Sequence, residues 1–242
     1  MKRFYYDLHI HSCLSPCGDE DNTPNNLAGM AKINELDIVA LTDHNSVKNC
    51  PAFFEACERL DLVAVAGMEL TTAEDIHVVC LFEQLSDALA FGEFVDSVRM
   101  KIKNRPEFFG EQKILDGMDN QIGCEPYLLT NATGISIENV RQEVSRFGGV
   151  CYPAHIDRDS NGIIAILGTI PSTDDFSYYE LHDAESVKEY SERYGINESK
   201  FIISSDAHYL TSFRDRENYF LLDTDGADKD DVRRKLFELL RG

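Results

Sequence analysis

His9 and His11 lie two positions apart near the start of the chain, at the end of a run that predicts a β-strand over residues 4–10. Because side chains two apart on a strand point to the same face, both imidazoles face one point. Imidazole is a common ligand for zinc, manganese and iron, so the pair is a candidate for metal binding. For a single pair of this kind, two merely structural histidines remain an equally good interpretation.

The same spacing recurs near the end of the chain, where Asp206 and His208 follow another apolar run and pair a carboxylate with an imidazole. His44 and Glu69 each come after a predicted strand as well. In a parallel barrel, the carboxyl ends of the strands are where catalytic residues collect. These four residues therefore predict that metal-ligating side chains meet at one end of a barrel.

Other histidines also stand at the ends of apolar runs: His77 begins one run and His155 closes another. Each histidine taken alone could be a satisfied core or surface residue, but that interpretation does not predict such a coincidence along the whole chain. His182 also ends a predicted strand, yet it has no second ligand nearby, so we expect it at the surface or at a helix start. The histidines other than His182 therefore predict one metal-binding cluster.

The composition is that of a globular protein, and 242 residues suit a single α/β barrel. A formal net charge of −20 argues against a broad basic surface for long nucleic acid, although bound cations could still attract a small anion.

The sequence has no apolar signal region and no run of about 18 apolar residues, so we expect no membrane binding and predict a cytoplasmic protein. Seven scattered cysteines fit reduced thiols better than a disulfide framework. Nothing in the sequence indicates an oligomeric state.

Short β-branched runs alternate with amphipathic segments, which is typical of βα units around a mostly parallel sheet. The predicted strands cover residues 4–10, 37–41, 62–66, 77–82, 149–153, 178–181, 201–204 and 218–222. The predicted helices cover residues 24–33, 47–60, 86–103, 136–147, 184–194 and 228–240. Residues 104–135 are less periodic and predict an excursion with a hairpin around 116–122. We expect one domain over residues 1–242, in which this excursion contributes to specificity.

The order of these motifs resembles that of the polymerase and histidinol phosphatase (PHP) superfamily, over nearly the whole chain. Its four motifs resemble His9-x-His11, Thr42-Asp43-His44, Gly67-x-Glu69 with His77 downstream, and Ser205-Asp206-Ala207-His208. The segment from Gly148 to His155 resembles the additional strand that supplies a family ligand. The resemblance implies a distorted TIM-like (β/α)7 barrel with a metal cluster at the carboxyl ends of its strands.

By the same resemblance, the cluster holds three divalent ions, which are zinc, manganese or iron. One ion would be bound by His9, His11, Glu69 and Asp206. Glu69 would bridge it to a second ion bound by His77 and His155, and a third ion would be bound by Asp19, His44 and His208. Catalytic roles would fall to Glu69 as the bridge and to Asp206 or His208 as a proton relay.

The loop after the first histidine pair departs from the family, because it is longer and more acidic than the Ser-Asp-Gly of small members. Asp19 keeps the family's distance to the helix start at Thr23, so we assign it as the third carboxylate. Asp21 is its rival, and two ions instead of three are the alternative if this loop supplies no ligand. Cys13 and Cys17 lie close by and thiolates bind soft metals, but oxygen and nitrogen ligands already suffice and we expect bystanders.

The implied activity is hydrolysis of small phosphomonoesters or short nucleotides by metal-activated hydroxide, with histidinol phosphate as another substrate. Arg158 is the candidate phosphate ligand, because a guanidinium matches phosphate oxygens as a bidentate fork. A surface salt bridge with Asp157 or Asp159 is an equally good interpretation of this arginine. Non-phosphate hydrolysis, as in amidohydrolases, and a non-catalytic metal-stabilised module remain alternative functions. We expect a small phosphorylated substrate and no long nucleic acid.

Overall fold

A curved sheet of six strands forms most of a barrel wall in the computed structural model, which describes residues 1–172 and 175–242. The strands of the described residues are β1 (Lys2–Ile10), β2 (Ile38–Leu41), β3 (Val63–Thr71), β4 (His77–Phe82), β5 (Lys113–Leu115), β6 (Gln121–Cys124), β7 (Val150–Pro153), β8 (Tyr179–Leu181), β9 (Phe201–Ile203) and β10 (Tyr219–Leu222). The six-stranded sheet has the order β10-β1-β2-β3-β4-β7. The strands β5 and β6 pair with each other, as do β8 and β9.

Helices cover the outside of this sheet and one end of the barrel. They are α1 (Pro24–Ile33), α2 (Cys50–Arg59), α3 (Leu85–Val98), α4 (Pro106–Phe109), α5 (Ile137–Arg146), α6 (Ile163–Leu167), α7 (Val187–Tyr194) and α8 (Lys229–Arg241). The first begins as predicted, because Thr23 caps it through a side-chain hydrogen bond from Asn26 N and Pro24 occupies its first turn. Among the described helices, none is both long and apolar enough to cross a membrane.

The barrel is completed by the pair β8–β9, which connects β7 back to β1. On one side, Ile156 N after β7 donates to Glu180 O in β8 over 2.9 Å. On the other, Ile10 forms a β-bridge with Ala207 after β9, and His11 N donates to Ala207 O over 3.0 Å. Strands β1, β2, β3, β4, β7, β8 and β9 therefore enclose a distorted TIM-like barrel, and the predicted fold class is confirmed.

The sheet is less parallel than the sequence predicted, because β4 runs antiparallel to both β3 and β7. β3 also continues five residues past its predicted end, since β4 folds back on it and pairs Glu69 with Val79. The hairpin needs Gly67, because a Cβ there would lie 2.9 Å from Cys80 O. Glu69 therefore lies within a strand and not after one.

Two further helix boundaries differ from the sequence prediction, whereas the hairpin predicted within residues 104–135 is present. Helix α3 ends at Val98, not 103, because Arg99 is extended (φ −74°, ψ 153°) and its backbone bridges to Thr133. Helix α2 begins at Cys50 rather than at 47. The predicted hairpin is present, with β5 and β6 paired antiparallel around the turn at residues 116–120.

Strand alternation divides the apolar side chains into a core inside the barrel and a core beneath the helices. In β3, Val63 and Val65 belong to the inner core, whereas Ala64 and Ala66 pack against the outer helices. Helix α8 contributes to the inner core, and Arg233 of that helix donates to Ala64 O near the start of β3. Because α8 covers the amino ends of the parallel strands, the opposite end of the barrel remains for a site.

Candidate metal centre

The structure brings eight of the predicted metal ligands together at the barrel end opposite α8. They are His9, His11, His44, Glu69, His77, His155, Asp206 and His208. Three of them lie within strands: His9 is next to the last residue of β1, and period-two alternation explains the other two, since Glu69 continues the inward face of Val65 and His77 continues that of Val79. The other ligands sit near or just beyond the ends of β1, β2, β7 and β9, so different strands supply one cluster.

Glu69 lies at the centre of this cluster with imidazoles against both of its oxygens. Its Oε1 is 2.8 Å from His77 Nδ1 and 3.0 Å from His155 Nε2. Its Oε2 is 2.9 Å from His44 Nδ1 and 3.3 Å from His11 Nε2. A carboxylate that is 1% exposed and faces ring nitrogens on both sides has the geometry of a bridging metal ligand.

A second group forms around Asp206 beside the first histidine pair. Asp206 Oδ1 lies 3.0 Å from His11 Nε2 and 3.3 Å from His9 Nε2. These three residues and Glu69 offer ligand atoms that all lie within 4.8 Å of one another. Buried nitrogen and oxygen atoms in this arrangement suit zinc, manganese or iron.

Several buried atoms of the cluster face one another at ion-pair distance or face no polar atom, and make no hydrogen bond of acceptable geometry among the described residues. They are Glu69 Oε2, Asp206 Oδ1, His44 Nδ1, His77 Nδ1 and His155 Nδ1. Buried polar atoms are rarely left unsatisfied, and each exception needs an explanation such as an ion. The residues therefore fit a group of divalent cations.

The charges of the cluster keep its central carboxylate ionised. Burial alone would raise the pKa of Glu69, but the charges of His77 and His44 outweigh it and hold that pKa well below its usual range. Burial likewise opposes protonation of His44, and the charge of Glu69 outweighs it and raises that pKa well above its usual value. Despite burial, the adjacent carboxylates of Asp206 and Glu69 raise the pKa of His11 to about 8. Cations bound at Glu69 would replace this positive charge.

Glu180 is a functional candidate that sequence reasoning missed. It is 1% exposed in β8, and its Oε2 lies 2.9 Å from His9 Nδ1 and accepts a hydrogen bond from His155 N over 3.1 Å. A carboxylate on the far nitrogen of a metal-binding imidazole fixes its tautomer and orientation. The signal in the sequence was a glutamate in the middle of a predicted strand, where a charge is seldom buried without a partner.

Asp43 orients the His11 imidazole and the backbone of His44 through a serine. Its Oδ1 accepts hydrogen bonds from Ser15 Oγ over 2.7 Å and from Ser12 N over 2.7 Å. Ser15 Oγ lies 3.0 Å from His11 Nδ1 and accepts from His44 N over 3.1 Å. This network fixes the loop after β1 against the histidines.

Backbone strain occurs at two of the ligands. His155 and Asp206 have positive φ values of 28° and 51°, in the left-handed region that favours glycine. His155 is held there by the bond from its N–H to Glu180 and by one from Arg158 N to its carbonyl over 3.0 Å. Strain of this kind persists only where the surroundings over-determine it and is typical of functional sites.

The structure does not bring the predicted third carboxylate into the cluster. Asp19 N donates to His208 O over 2.9 Å, but Asp19 Oδ1 accepts from Asp21 N over 2.9 Å, and neither carboxylate joins the convergent groups of the described residues. Cys17 is exposed in the same loop, and the nearby charge of His44 lowers the pKa of its thiol to about 5.

Arg158 lies at the mouth of the cluster. It donates to Asp206 Oδ2, and its Nη2 lies 3.3 Å from His182 Nδ1. Asp157 accepts instead from the backbone of His182 and Asp183, each over 2.8 Å. A cavity of about 100 Å³ opens here, lined by His44, Glu69, His77, His155, Arg158, Ser160, Asn161, Asp206 and His208.

The sequence of the chain matches a known domain family. The model of the PHP domain matches residues 7–220. No curated protein matches the chain.

Solved structures share its fold. The lesion-specific endonuclease PfuEndoQ from Pyrococcus furiosus superimposes with a TM-score of 0.67 at 16% identity, over 100% of this chain and 56% of that one. Endonuclease Q in complex with a 27-mer duplex substrate carrying an abasic lesion gives a TM-score of 0.67 at 15% identity, over 100% of this chain and 57% of that one. A protein from Bifidobacterium adolescentis, provisionally assigned as a metal-dependent phosphoesterase, gives a TM-score of 0.58 at 17% identity, over 96% of this chain and 95% of that one. The chain thus spans little more than half the length of the endonucleases, and likeness at this identity shows the fold alone.

Proposed function

Because the chain belongs to the PHP domain family, we propose that it is a metal-dependent phosphoesterase acting on small phosphomonoesters or short nucleotides. The observation that carries this proposal is the convergence of buried imidazoles on both oxygens of Glu69. The left-handed backbone of His155 and Asp206 beside it is typical of functional sites and favours a catalytic domain over a non-catalytic one.

We assign three divalent cations to the cluster. Their proposed ligands are His9, His11, Glu69 and Asp206 for the first, Glu69, His77 and His155 for the second, and His44 and His208 for the third, with Asp19 as the sequence prediction. When bound, such ions lower the pKa of coordinated water to about 7 and neutralise charge on phosphoryl oxygens. The residues themselves hold the ligand atoms in place, and Glu69 connects two sites through its two oxygens.

Proton transfer falls to Asp206 or His208. The His208 side chain is 23% exposed and that of Asp206 is 4% exposed. Asp206 is also engaged by Arg158, whereas His208 Nδ1 donates to a backbone carbonyl over 2.8 Å and leaves Nε2 directed elsewhere. His208 is therefore the more accessible of the two to solvent.

The size of the mouth supports a small reacting group. The cavity has a volume of about 100 Å³. Pockets for whole small molecules are usually several times larger. A phosphoryl group fits, and the remainder of the substrate would lie outside.

Arg158 is our proposed phosphate ligand. Its guanidinium already binds a carboxylate oxygen of Asp206 at the mouth, and the same fork binds phosphate. We expect Arg158→Gln to raise the KM for a phosphomonoester about tenfold, since hydrogen bonds to charged groups contribute about 1.5–3 kcal/mol. Arg216→Gln is the matched control, because Arg216 pairs with Glu35 at the surface.

Specificity would come from the excursion at residues 104–135, which packs beside the cluster. Asn45, which follows His44, donates to Leu129 O over 2.6 Å and to Asn131 O over 3.0 Å. Lys113 N donates to Cys13 O over 3.1 Å in the loop after β1. The excursion therefore borders the proposed substrate site.

The acidic charge of the chain favours a small substrate over long nucleic acid. Proteins that follow a phosphate backbone neutralise it with clustered lysine and arginine, and a formal charge of −20 opposes this. Because the fold is shared with an endonuclease whose substrate is a duplex with an abasic lesion, any assay should include such a duplex as an alternative substrate.

The test measures metal content and hydrolysis in the wild type, His9→Ala and Asp206→Ala. The substrates are a phosphomonoester panel that includes histidinol phosphate, a dinucleotide, an abasic duplex and an amide. We expect bound metal and phosphomonoester hydrolysis in the wild type, and loss of both in the variants. Unchanged activity in both variants would contradict the proposal, and preferred cleavage of the duplex would contradict the substrate class.

A further inference from the structure

A second cavity, of about 400 Å³, lies beside the segment that follows His44. Residues 45–48 form one wall, and helix α3 and the excursion at residues 104–135 form the others. Among the described residues, none lines both this cavity and the mouth of the metal cluster. Its volume is within the range that is usual for sites of small molecules.

Much of the cavity wall is apolar. Val47 and Leu129 are buried, at 4% and 1% exposure, and Leu89 of α3 is 38% exposed. Filling the space between such side chains removes apolar surface from water, which is favourable. The wall therefore favours a molecule with an apolar body.

The cations on the wall are already paired with carboxylates. Glu125, which is 2% exposed, accepts hydrogen bonds from Lys48 Nζ and from Arg99 Nη2, the latter over 2.7 Å. Asp96 accepts from Arg99 Nε and from Lys101 Nζ, each over 2.9 Å. Arg99 Nη1 makes no hydrogen bond among the described residues, but this atom is buried and offers no surface to a ligand. The cavity thus has no unpaired cation for an anionic ligand.

Glu93 is the carboxylate of the wall that remains available. It is an exposed residue of α3, and its side chain has no ion pair or hydrogen bond within the part of the chain that the structure describes. Two cations and three carboxylates line the cavity, which leaves one formal negative charge. The net charge of −20 on the whole chain adds to this field, so a cation is attracted.

We propose that this cavity is a second binding site, for a small amine with an apolar body. The ammonium group pairs with Glu93, and the apolar body packs against Val47, Leu89 and Leu129. The site does not depend on the proposed metal-dependent function, because the cluster residues do not line it.

The wall of this site is held in a fixed position beside the metal cluster. Asn45 Nδ2 donates to Leu129 O over 2.6 Å, and Asn45 Oδ1 accepts from Thr71 N over 2.9 Å. Asn45 has a positive φ of 46°, and its N–H donates to Glu69 O over 3.0 Å. The bound amine would therefore contact the segment that directly follows His44 and leave the mouth of the cluster free.

Three probes of matched shape test the proposal: 2-phenylethylamine, 2-phenylethanol and 3-phenylpropionate. Amide NMR titrations of the full chain at pH 7, with and without metal, give both affinity and location. We expect the amine to bind about fivefold more tightly than the alcohol, since an exposed ion pair contributes up to about 1 kcal/mol. The carboxylate should bind most weakly. The shifts should centre on Val47 and Leu129 and should be the same in chelated protein.

Variants separate the ammonium contact from the apolar one. Glu93→Gln should reduce the affinity for the amine to that for the alcohol and leave the alcohol unchanged, whereas Leu89→Ser should weaken both alike. Asp87→Asn is the matched control, because Asp87 is a carboxylate of the same helix outside the cavity. The proposal is wrong if no probe binds, if the carboxylate binds more tightly than the amine, or if Glu93→Gln leaves amine affinity unchanged. Amine binding that requires metal would also overturn it, and in each case the proposed function stands.

Discussion

Replacing Glu180 with Gln isolates the contribution of a carboxylate that touches no proposed reacting atom. The carboxylate holds His9 through Oε2 at 2.9 Å and Oε1 at 3.1 Å from Nδ1, and Oε2 also accepts from His155 N. Glutamine preserves the volume and one oxygen. If the amide oxygen takes the Oε2 position, the amide nitrogen takes the Oε1 position. Its hydrogens then face the proton on His9 Nδ1 and repel it.

The expected loss follows from the charge that is removed. A hydrogen bond to a charged group contributes about 1.5–3 kcal/mol and a neutral one about 0.5–1.5 kcal/mol. The difference of about 1–1.5 kcal/mol corresponds to about tenfold in affinity. Mutation of a residue that holds a metal-ligating side chain typically lowers metal affinity or activity about 10–100-fold, so a tenfold loss is the lower end of the expectation.

Competition with a chromophoric chelator measures this affinity for zinc and manganese. Glu125→Gln is the matched control, because Glu125 is also a buried carboxylate, paired with Arg99 over 2.7 Å but outside the cluster. Glu125→Gln should lower the denaturant midpoint and leave metal affinity unchanged. The reasoning is refuted if Glu180→Gln binds metal like the wild type, or if both variants lose affinity equally.

Three further outcomes are expected. Chelation should lower the Tm and added zinc or manganese should restore it, since a ligand at 100 times its Kd stabilises by about 2.7 kcal/mol; an unchanged Tm would exclude tightly bound ions. In chelated protein, burial raises the pKa of Asp7 from 3.8 to about 6. The protonated carboxyl therefore stabilises the fold below pH 4, by about 3 kcal/mol at about 1.36 kcal/mol per pKa unit. This stabilisation is lost as the pH rises through 6. Denaturation of Asp7→Asn from pH 4 to 7 should therefore show a stability gain over the wild type that grows with pH; a constant difference would contradict it. Gly67→Ala should cost about 1–3 kcal/mol by denaturant unfolding, because its Cβ meets Thr42 Cγ2 at 2.8 Å, whereas Gly29→Ala in α1 has open space and should be neutral or stabilising.

Local patterns were sufficient to predict most elements of the fold. The cap at Thr23, the apolar strands and the hairpin after β5 depend on neighbouring residues, so their sequence carries the signal. The direction of β4 could not be predicted in this way. An apolar strand has the same composition whether its neighbours run parallel or antiparallel, and only the pairing of β3 with β4 extended the strand through Glu69.

The sequence by itself predicted which side chains are candidate metal ligands, because histidines and carboxylates recur at the ends of its apolar runs. The tertiary structure alone decided which of them meet. It brought Glu180, far along the chain, onto His9, and it left the carboxylate of Asp19 outside the convergent groups of the described residues. The physical reason is that closure of the barrel sets these distances between residues far apart in the chain, and local spacing carries no signal for that closure.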